Sequence, residues 1–400
     1  MRLMGAKIRL AYLVTHPIQY QAPLLRLLAA EPDLDLTVFF CSDFSLQSYL
    51  DVEFGQVIDW DVPLLEGYRH EFLPALGGKD RVTFWRPFNY GLSRRLKEGN
   101  FQVLWIHGYA RWFHWTAMVS AKAAGVKVLM RDEATLNSAA RSLGKRAAKQ
   151  GFFVVLNKLV DGFLAIGGAN ADYYRHHGVP GEKIFLVPYA VDNAFFQKKA
   201  REASAQAAVL RRSLGLENGR PVILFVGKLS ERKRAGDLLE AYIRLSPGEG
   251  AEPFPYLLFV GEGEMRGPLE RRAAETSWDS IKFLGFKNQT ELPAYYHLCQ
   301  IFVLPSAFEP WGLVVNEAMN AGRAVIVSDQ SGCGPDLVRN GENGYIFRTG
   351  DIHGLGRVLG DILQARKWAQ MGRRSLELIN GWSFAEDVAG LKEALNYVCR

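Results

Sequence analysis

Eleven short apolar runs, separated by segments of helical periodicity, constrain this 400-residue chain more than any other feature. In the first half they are KIRLAYLV (7–14), LDLTVFFC (34–41), VLWIH (103–107), VKVLM (126–130), FLAIG (163–167) and IFLVP (184–188). In the second half they are PVILFVG (221–227), YLLFVG (256–261), IKFLG (281–285), IFVLP (301–305) and AVIVS (324–328). Such runs lack clean alternation, so both faces of each strand need cover. A parallel sheet with helices on both sides provides it. Two series predict two tandem α/β halves with a cleft between them, residues 1–200 and 201–382. The polar, helix-forming stretch 198–219 is the candidate connection. An amphipathic helix, 383–400, closes the chain and is expected to cross back to the first half. Ligands on such sheets sit beyond the carboxyl ends of the strands.

Composition narrows the partners. Apolar residues make up 48% and charged residues 22%, as in ordinary soluble domains. No apolar run approaches the ~18 residues that a spanning helix needs. The opening MRLMGAKIRLAYLV is basic and then apolar, but Arg9 interrupts it, and it reads as a first core strand rather than a signal peptide. Cys41, Cys299, Cys333 and Cys399 are scattered without metal-ligand spacing, which implies reduced thiols and a cytoplasmic location. A net charge of +6 favours anionic partners such as nucleotides or acidic lipids. No basic stripe with interleaved aromatics points to nucleic acid. The segment 139–160 is basic early (Arg141, Lys145, Arg146, Lys149) and apolar later. It fits either peripheral contact with an anionic inner-membrane surface or a surface helix running into a buried one.

The stretch LPSAFEPWGLVVNE (304–317) carries the clearest chemistry. A strand leads into a loop with Glu309, turns through Pro310, Trp311 and Gly312, and enters a helix at Leu313. Free N–H groups at Gly312 and Leu313 would form an anion site favoured by the helix dipole. Glu317 would lie roughly 6–8 Å along the axis, at about 1.5 Å per residue. There its two oxygens suit the hydroxyl pair of a ribose attached to a diphosphate. The alternative reading is a helix with two ordinary surface glutamates.

Glu309-x7-Glu317 within FEPWGLVVNEAMNAGRAVI resembles the signature of the family 4 retaining glycosyltransferases, and supporting phrases run from about Lys7 to Phe347. The resemblance implies a GT-B fold, with two Rossmann-like parallel-sheet domains facing a central cleft. It implies a nucleoside-diphosphate sugar as donor, retention at the anomeric carbon, and no metal or other cofactor. In that family the first Glu faces the donor sugar and the second binds the ribose. An Arg or Lys and then a Lys after the first strand of the second domain clamp the diphosphate. FVGKLSERKRAGDLL carries these roles onto Lys228 and Lys233, each charge-assisted bond being worth roughly 1.5–3 kcal/mol. A solvated loop is the reading for Arg232 and Arg234. His107, at the end of VLWIH, matches a His that faces the donor sugar in relatives. Phe286 and Lys287 follow a strand whose end lies against the nucleobase in relatives.

Where many relatives have a glycine-rich loop after the first strand, this chain has Thr15-His16-Pro17, and Pro17 removes a donor N–H. His16, Gln19 and Tyr20 are therefore acceptor candidates, joined by Arg131 at another strand end. Asp33-Leu34-Asp35 and Asp59-Trp60-Asp61 read as structural, away from the clamp. Two rivals stand beside the glycosyltransferase of glycan, lipid-linked or small-molecule acceptors. They are a nucleotide-sugar epimerase of the same fold and a non-catalytic sugar-nucleotide binder.

Overall fold

The computed structural model describes residues 7–51, 55–76, 83–136, 143–245, 254–364 and 366–400. The chain divides into two compact units. One comprises residues 1–49, 62–189 and 384–400, and the other residues 50–61 and 190–383.

The first unit is built on a seven-stranded sheet. In chain order its strands are β1 (Ile8–Val14), β2 (Leu34–Phe40), β3 (Arg69–Phe72), β4 (Val103–His107), β5 (Lys127–Arg131), β6 (Gly162–Ala165) and β7 (Ile184–Leu186). Their spatial order is β7-β6-β5-β4-β1-β2-β3, and every pairing is parallel. The central strands are buried on both faces because helices cover both, which is why their sequences are unbroken apolar runs.

The second unit repeats the plan with β8 (Val222–Val226), β9 (Tyr256–Val260), β10 (Ile281–Phe283), β11 (Ile301–Leu304), β12 (Ala324–Ser328) and β13 (Gly344–Phe347). The order is β10-β9-β8-β11-β12-β13, again parallel throughout. The strand order reverses direction between β8 and β11, the place where such sheets bind ligands. The expected fold class is the one observed: two Rossmann-like parallel-sheet α/β units.

The unit boundaries differ from those read in the sequence. The stretch 198–219 is no free connection, because the helix Asn193–Ser213 packs within the second unit against the helix Leu292–Leu298. Its start is fixed there by Asn193, which donates to the carbonyl of Ile379 at 2.9 Å and accepts from Asn320 at 2.8 Å. Residues 50–61, placed with the first half by sequence, belong with the second unit. Asn288 donates to the carbonyl of Asp59 at 2.6 Å, and the Thr290 N–H donates to the Asp61 carboxylate at 3.1 Å. Asp59 and Asp61 thus have a structural role, as the sequence suggests.

The last helix, Phe384–Val398, packs on β6 and β7 of the first unit. Its anchor is Asp387, which accepts from the Arg131 guanidinium at 2.9 Å, both side chains being almost fully buried. Arg131 also donates to the carbonyls of Val187 and Pro188 and lies 4.4 Å over the Tyr189 ring. Burial pushes the Asp387 carboxyl up against the pull of Arg131. The expectation that Arg131 meets an acceptor is therefore corrected: its guanidinium is spent on holding the C-terminal helix.

Among the described residues, no helix is long and apolar enough to cross a membrane. Residues 139–142 and the side chains of Lys145 and Arg146 lie outside the described residues. In the helix Leu143–Leu159, Lys149 is turned inward: it donates to the Tyr109 hydroxyl at 2.9 Å and sits 4.5 Å over the Tyr109 and Phe152 rings. Phe153 and Leu156 are core residues, while Val154 and Val155 are exposed. A surface helix running into a buried one accounts for these placements.

Removing one partner of a buried ion pair strands the other charge, at a cost of about 3–5 kcal/mol. Asp387→Ala is expected to lower the urea midpoint by a corresponding amount, whereas Lys392→Ala, which removes only a surface pairing with Glu31 and Asp33, is expected to shift it little. Equal midpoints for the two variants would contradict this anchoring.

Candidate active site

The site of the second unit grows from the carboxyl ends of β8 and β11, adjacent parallel strands paired through Ile223–Ile301 and Leu224–Phe302. After β8 the chain turns through Gly227 into Lys228 and reaches Lys233 in a short 3-10 turn, Glu231–Lys233. After β11 it runs through Pro305 and Ser306 to Glu309. The two loops are stitched together. The Ala307 N–H donates to the Arg232 carbonyl at 2.8 Å, and the Arg232 guanidinium donates to the Phe308 carbonyl at 3.1 Å. Arg232 is thus a loop fastener. Arg234, in a left-handed conformation, pairs with Asp237.

This stitching brings the Lys233 ammonium onto the Glu309 carboxylate as a direct ion pair, each side chain 12% exposed. The Ser306 hydroxyl lies 3.5 Å from the same carboxylate oxygen. The backbone of Glu309 is held by the next loop of the sheet: its N–H donates to the Gln330 carbonyl at 3.0 Å, and the Gly332 N–H donates to its carbonyl at 2.9 Å. A Cβ at Gly332 would fall 2.0 Å from the Pro310 carbonyl oxygen, so only glycine admits this approach.

Gly312 caps the helix Leu313–Asn320 with φ +105°, a conformation costly for other residues, and a Cβ there would meet Leu304 at 2.9 Å. The first N–H groups of the helix have no partners inside it. Trp311, expected from the sequence to join Gly312 and Leu313 in binding the donor, turns inward instead. Its ring is buried, stacked on Trp382 at 5.4 Å, and its indole N–H donates to the buried Asn316 at 3.0 Å. It braces the turn from inside rather than facing a ligand.

Glu317, one turn into the helix, is half-buried and accepts from the Tyr296 hydroxyl at 2.7 Å. Burial raises its carboxyl from the ordinary 4.5 to about 7, against the opposing hydrogen bond from Tyr296. Phe286 follows Gly285 beyond β10 and is half-buried, and the neighbouring Lys287 pairs with Glu291 at 3.6 Å. Lys228 is engaged by a residue that the sequence reading did not single out: both oxygens of Asp51 lie 3.1 Å from its ammonium.

The first unit has a polar cluster of its own at the carboxyl ends of β4, β5 and β7. His107 lies 3.1 Å from the Tyr189 hydroxyl, which donates to Glu133 at 2.6 Å. Burial alone would raise the Glu133 carboxyl, but the nearby His107 imidazole, Tyr189 and Arg131 outweigh it and hold it below the ordinary range. The Tyr20 ring meets Tyr189 edge-on at 6.0 Å. His16 bonds Thr15 at 2.8 Å and lies against Phe44, and burial, aided by Arg111 and His107, lowers its imidazole to about 4. His16 is therefore neutral at physiological pH. Gln19 is half-buried on the same loop. The structure thus gathers His107 and Tyr20 around Tyr189. Glu133 and Tyr189, which the sequence reading passed over, lie just beyond the ends of the strands Lys127–Arg131 and Ile184–Leu186, and that position was the available signal.

Residues 207–375 match the family model described as "Glycosyl transferases group 1", and this stretch covers most of the second unit. Over 156 residues the chain is 34% identical to an uncharacterized glycosyltransferase of Methanocaldococcus jannaschii, covering 38% of this chain and 39% of that protein. It is 28% identical over 189 residues to the alpha-D-kanosaminyltransferase of Streptomyces kanamyceticus, covering 46% and 47%. The matches thus span less than half the length of these curated relatives. Across nearly the whole chain, the Anabaena HepE structure in complex with UDP superposes with a TM-score of 0.72 at 16% identity, covering 98% of this chain and 99% of that one. At that identity the likeness is one of fold. The fold is GT-B. Together the matches show the fold across the chain and a likeness to glycosyltransferases over the second unit.

The raised Glu317 carboxyl has a pH consequence. Between about 4.5 and about 7 the folded chain holds a proton that the unfolded chain has shed, so this group makes stability fall as pH rises through that window and adds no slope above it. In urea titrations at pH 5, 6, 7 and 8, Glu317→Gln is expected to gain on the wild type up to about pH 7 and then run parallel. A difference independent of pH would contradict the shift.

Proposed function

We propose that this protein is a retaining, metal-independent glycosyltransferase that moves a sugar from a nucleoside diphosphate to an acceptor hydroxyl. The observation that carries the reading is the assembly of Lys233, Glu309 and the Gly312 helix N-terminus at the strand-order reversal of the second unit, with Glu317 one turn further on. Two amines and a row of free amide hydrogens suit a diphosphate leaving group, and they neutralise the charge that grows as the glycosidic bond breaks. Glu317 suits the ribose hydroxyls. Phe286 is the candidate for the nucleobase. A structural relative was solved with UDP, which supports a nucleotide-sugar donor.

Glu309, already paired with Lys233, faces the donor sugar in this reading and stabilises positive charge at the anomeric carbon. We favour displacement on the same face. The bond from anomeric carbon to phosphate oxygen breaks, the acceptor oxygen attacks from the side the phosphate leaves, and the departing phosphate takes the acceptor proton. The chain contributes positioning and charge stabilisation. His107, held by Tyr189 and Glu133, offers a hydrogen-bond partner to a sugar hydroxyl. His16, Gln19 and Tyr20 are the proposed acceptor contacts. A cytoplasmic site of action fits the unpaired, buried thiols of Cys41, Cys299 and Cys333.

The test is a steady-state series with the nucleotide sugar that most raises the melting temperature. Glu309→Ala and Lys233→Ala are each expected to lower turnover more than tenfold, while Glu317→Ala mainly raises the donor KM. Near-unaltered kinetics in all three would refute the site. Incubation with donor alone is expected to give only slow hydrolysis. An epimerised sugar nucleotide would overturn the transferase reading.

A further inference from the structure

The segment 50–61 branches from the first half of the sequence yet belongs to the second unit, and its geometry points at the diphosphate clamp. Its short strands Tyr49–Asp51 and Gln56–Ile58 pair with each other, and the Gly55 N–H donates to the Asp51 carbonyl at 2.8 Å. Ile58 is buried, and beyond it Asp59 and Asp61 are bonded to the loop after β10. The segment is therefore fastened beyond the carboxyl end of β10 and delivers Asp51 beyond the carboxyl end of β8. There both oxygens of Asp51 sit 3.1 Å from the Lys228 ammonium, with side-chain exposures of 17% and 23%.

An exposed ion pair of this kind would be worth little. This one is shielded, two oxygens bear on one ammonium, and the ammonium is one of the two assigned above to the diphosphate. Two oxygens of one negative group on Lys228 are what a phosphate would also present. The second amine, Lys233, is likewise held by a carboxylate, Glu309. We infer that Asp51 is a built-in competitor for the donor diphosphate: it occupies Lys228 when no nucleotide is bound, is exchanged for a phosphate oxygen on binding, and returns when the nucleoside diphosphate leaves. The inference rests on the donor-site reading above and adds to it a residue that tunes donor affinity and product release.

The physical argument is one of tethering. A carboxylate held in place competes at an effective concentration of roughly millimolar or above, so a ligand phosphate must outbid it at every encounter. Asn at this position keeps the size and removes the charge. Lys228 then stays in place without the Asp51 charge to surrender.

The test is calorimetric titration of the full chain with UDP, ADP and GDP, comparing wild type, Asp51→Asn, Lys228→Met, the double variant and Lys233→Ala. For whichever diphosphate binds the wild type, Asp51→Asn is expected to tighten binding about fivefold or more. Lys228→Met is expected to weaken it, and adding Asp51→Asn to Lys228→Met is expected to give no further gain. If the wild type binds a diphosphate, Lys233→Ala loses it, and Asp51→Asn changes affinity less than twofold or weakens it, the donor site stands and the role of Asp51 falls. If no diphosphate binds wild type or Asp51→Asn, both readings fall together.

Discussion

An electrostatic constraint governs the second unit: amines placed where parallel strands end must have an anion. Lys233 is held by Glu309 and Lys228 by Asp51. Part-buried ammonium groups left alone would pay a desolvation cost, and carboxylates relieve it. In the proposed function a dinegative leaving group would relieve it as well, and better, because it would also reach the amide hydrogens at the start of the helix Leu313–Asn320. Charges balanced in the resting protein by weaker, exchangeable partners are thereby available to a stronger one. That is how a binding site can be stable without its ligand and still favour it.

The backbone around this constraint is shaped with little freedom. Gly312 turns the chain through a left-handed conformation so that the helix can start under the β11 loop, and Gly332 lets a neighbouring loop touch the Glu309–Pro310 backbone. Trp311, driven inward onto Trp382 and Asn316, fixes the turn between Glu309 and Gly312. The rigid parts are apolar and inside, and the groups with chemistry are left at the rim. The first unit obeys the same logic differently. Arg131 sits at a strand end where ligands usually bind, yet it is buried with Asp387 and serves to dock the last helix, while Glu133 and Tyr189 beside it keep their polar groups around His107.

Much of this was legible in the sequence, and the failures have physical reasons. Every strand flanked on both sides announced itself as an apolar run. In the two main sheets the strands that did not, β3 (RHEF) and β13 (GYIF), are edge strands with one neighbour each and are only partly buried. The helix start at Leu313 was readable from Pro310, Gly312 and the apolar spacing. The direction of Trp311 was not, because an indole after a proline can face either way until its partners, Trp382 and Asn316, are known. Lys228, Lys233 and Glu309 could be proposed because chemistry and resemblance agreed on them. Asp51 could not: it lies 177 residues from Lys228 in a three-residue strand with no motif of its own, and only the folding of 50–61 onto the second unit brings it there. Arg131 was misread for the converse reason, since its partner, Asp387, stands 256 residues away.

The central claim is that a diphosphate is seated on the helix N-terminus and gripped by the two amines. The most direct measurement is a crystal structure of the protein with a bound nucleoside diphosphate. The account predicts phosphate oxygens within about 3 Å of the Lys228 and Lys233 ammonium nitrogens and of the amide nitrogens at Gly312 and Leu313, with the ribose hydroxyls on Glu317. A nucleotide bound with its phosphates away from that helix start, or with both lysines still held only by their carboxylates, would contradict it.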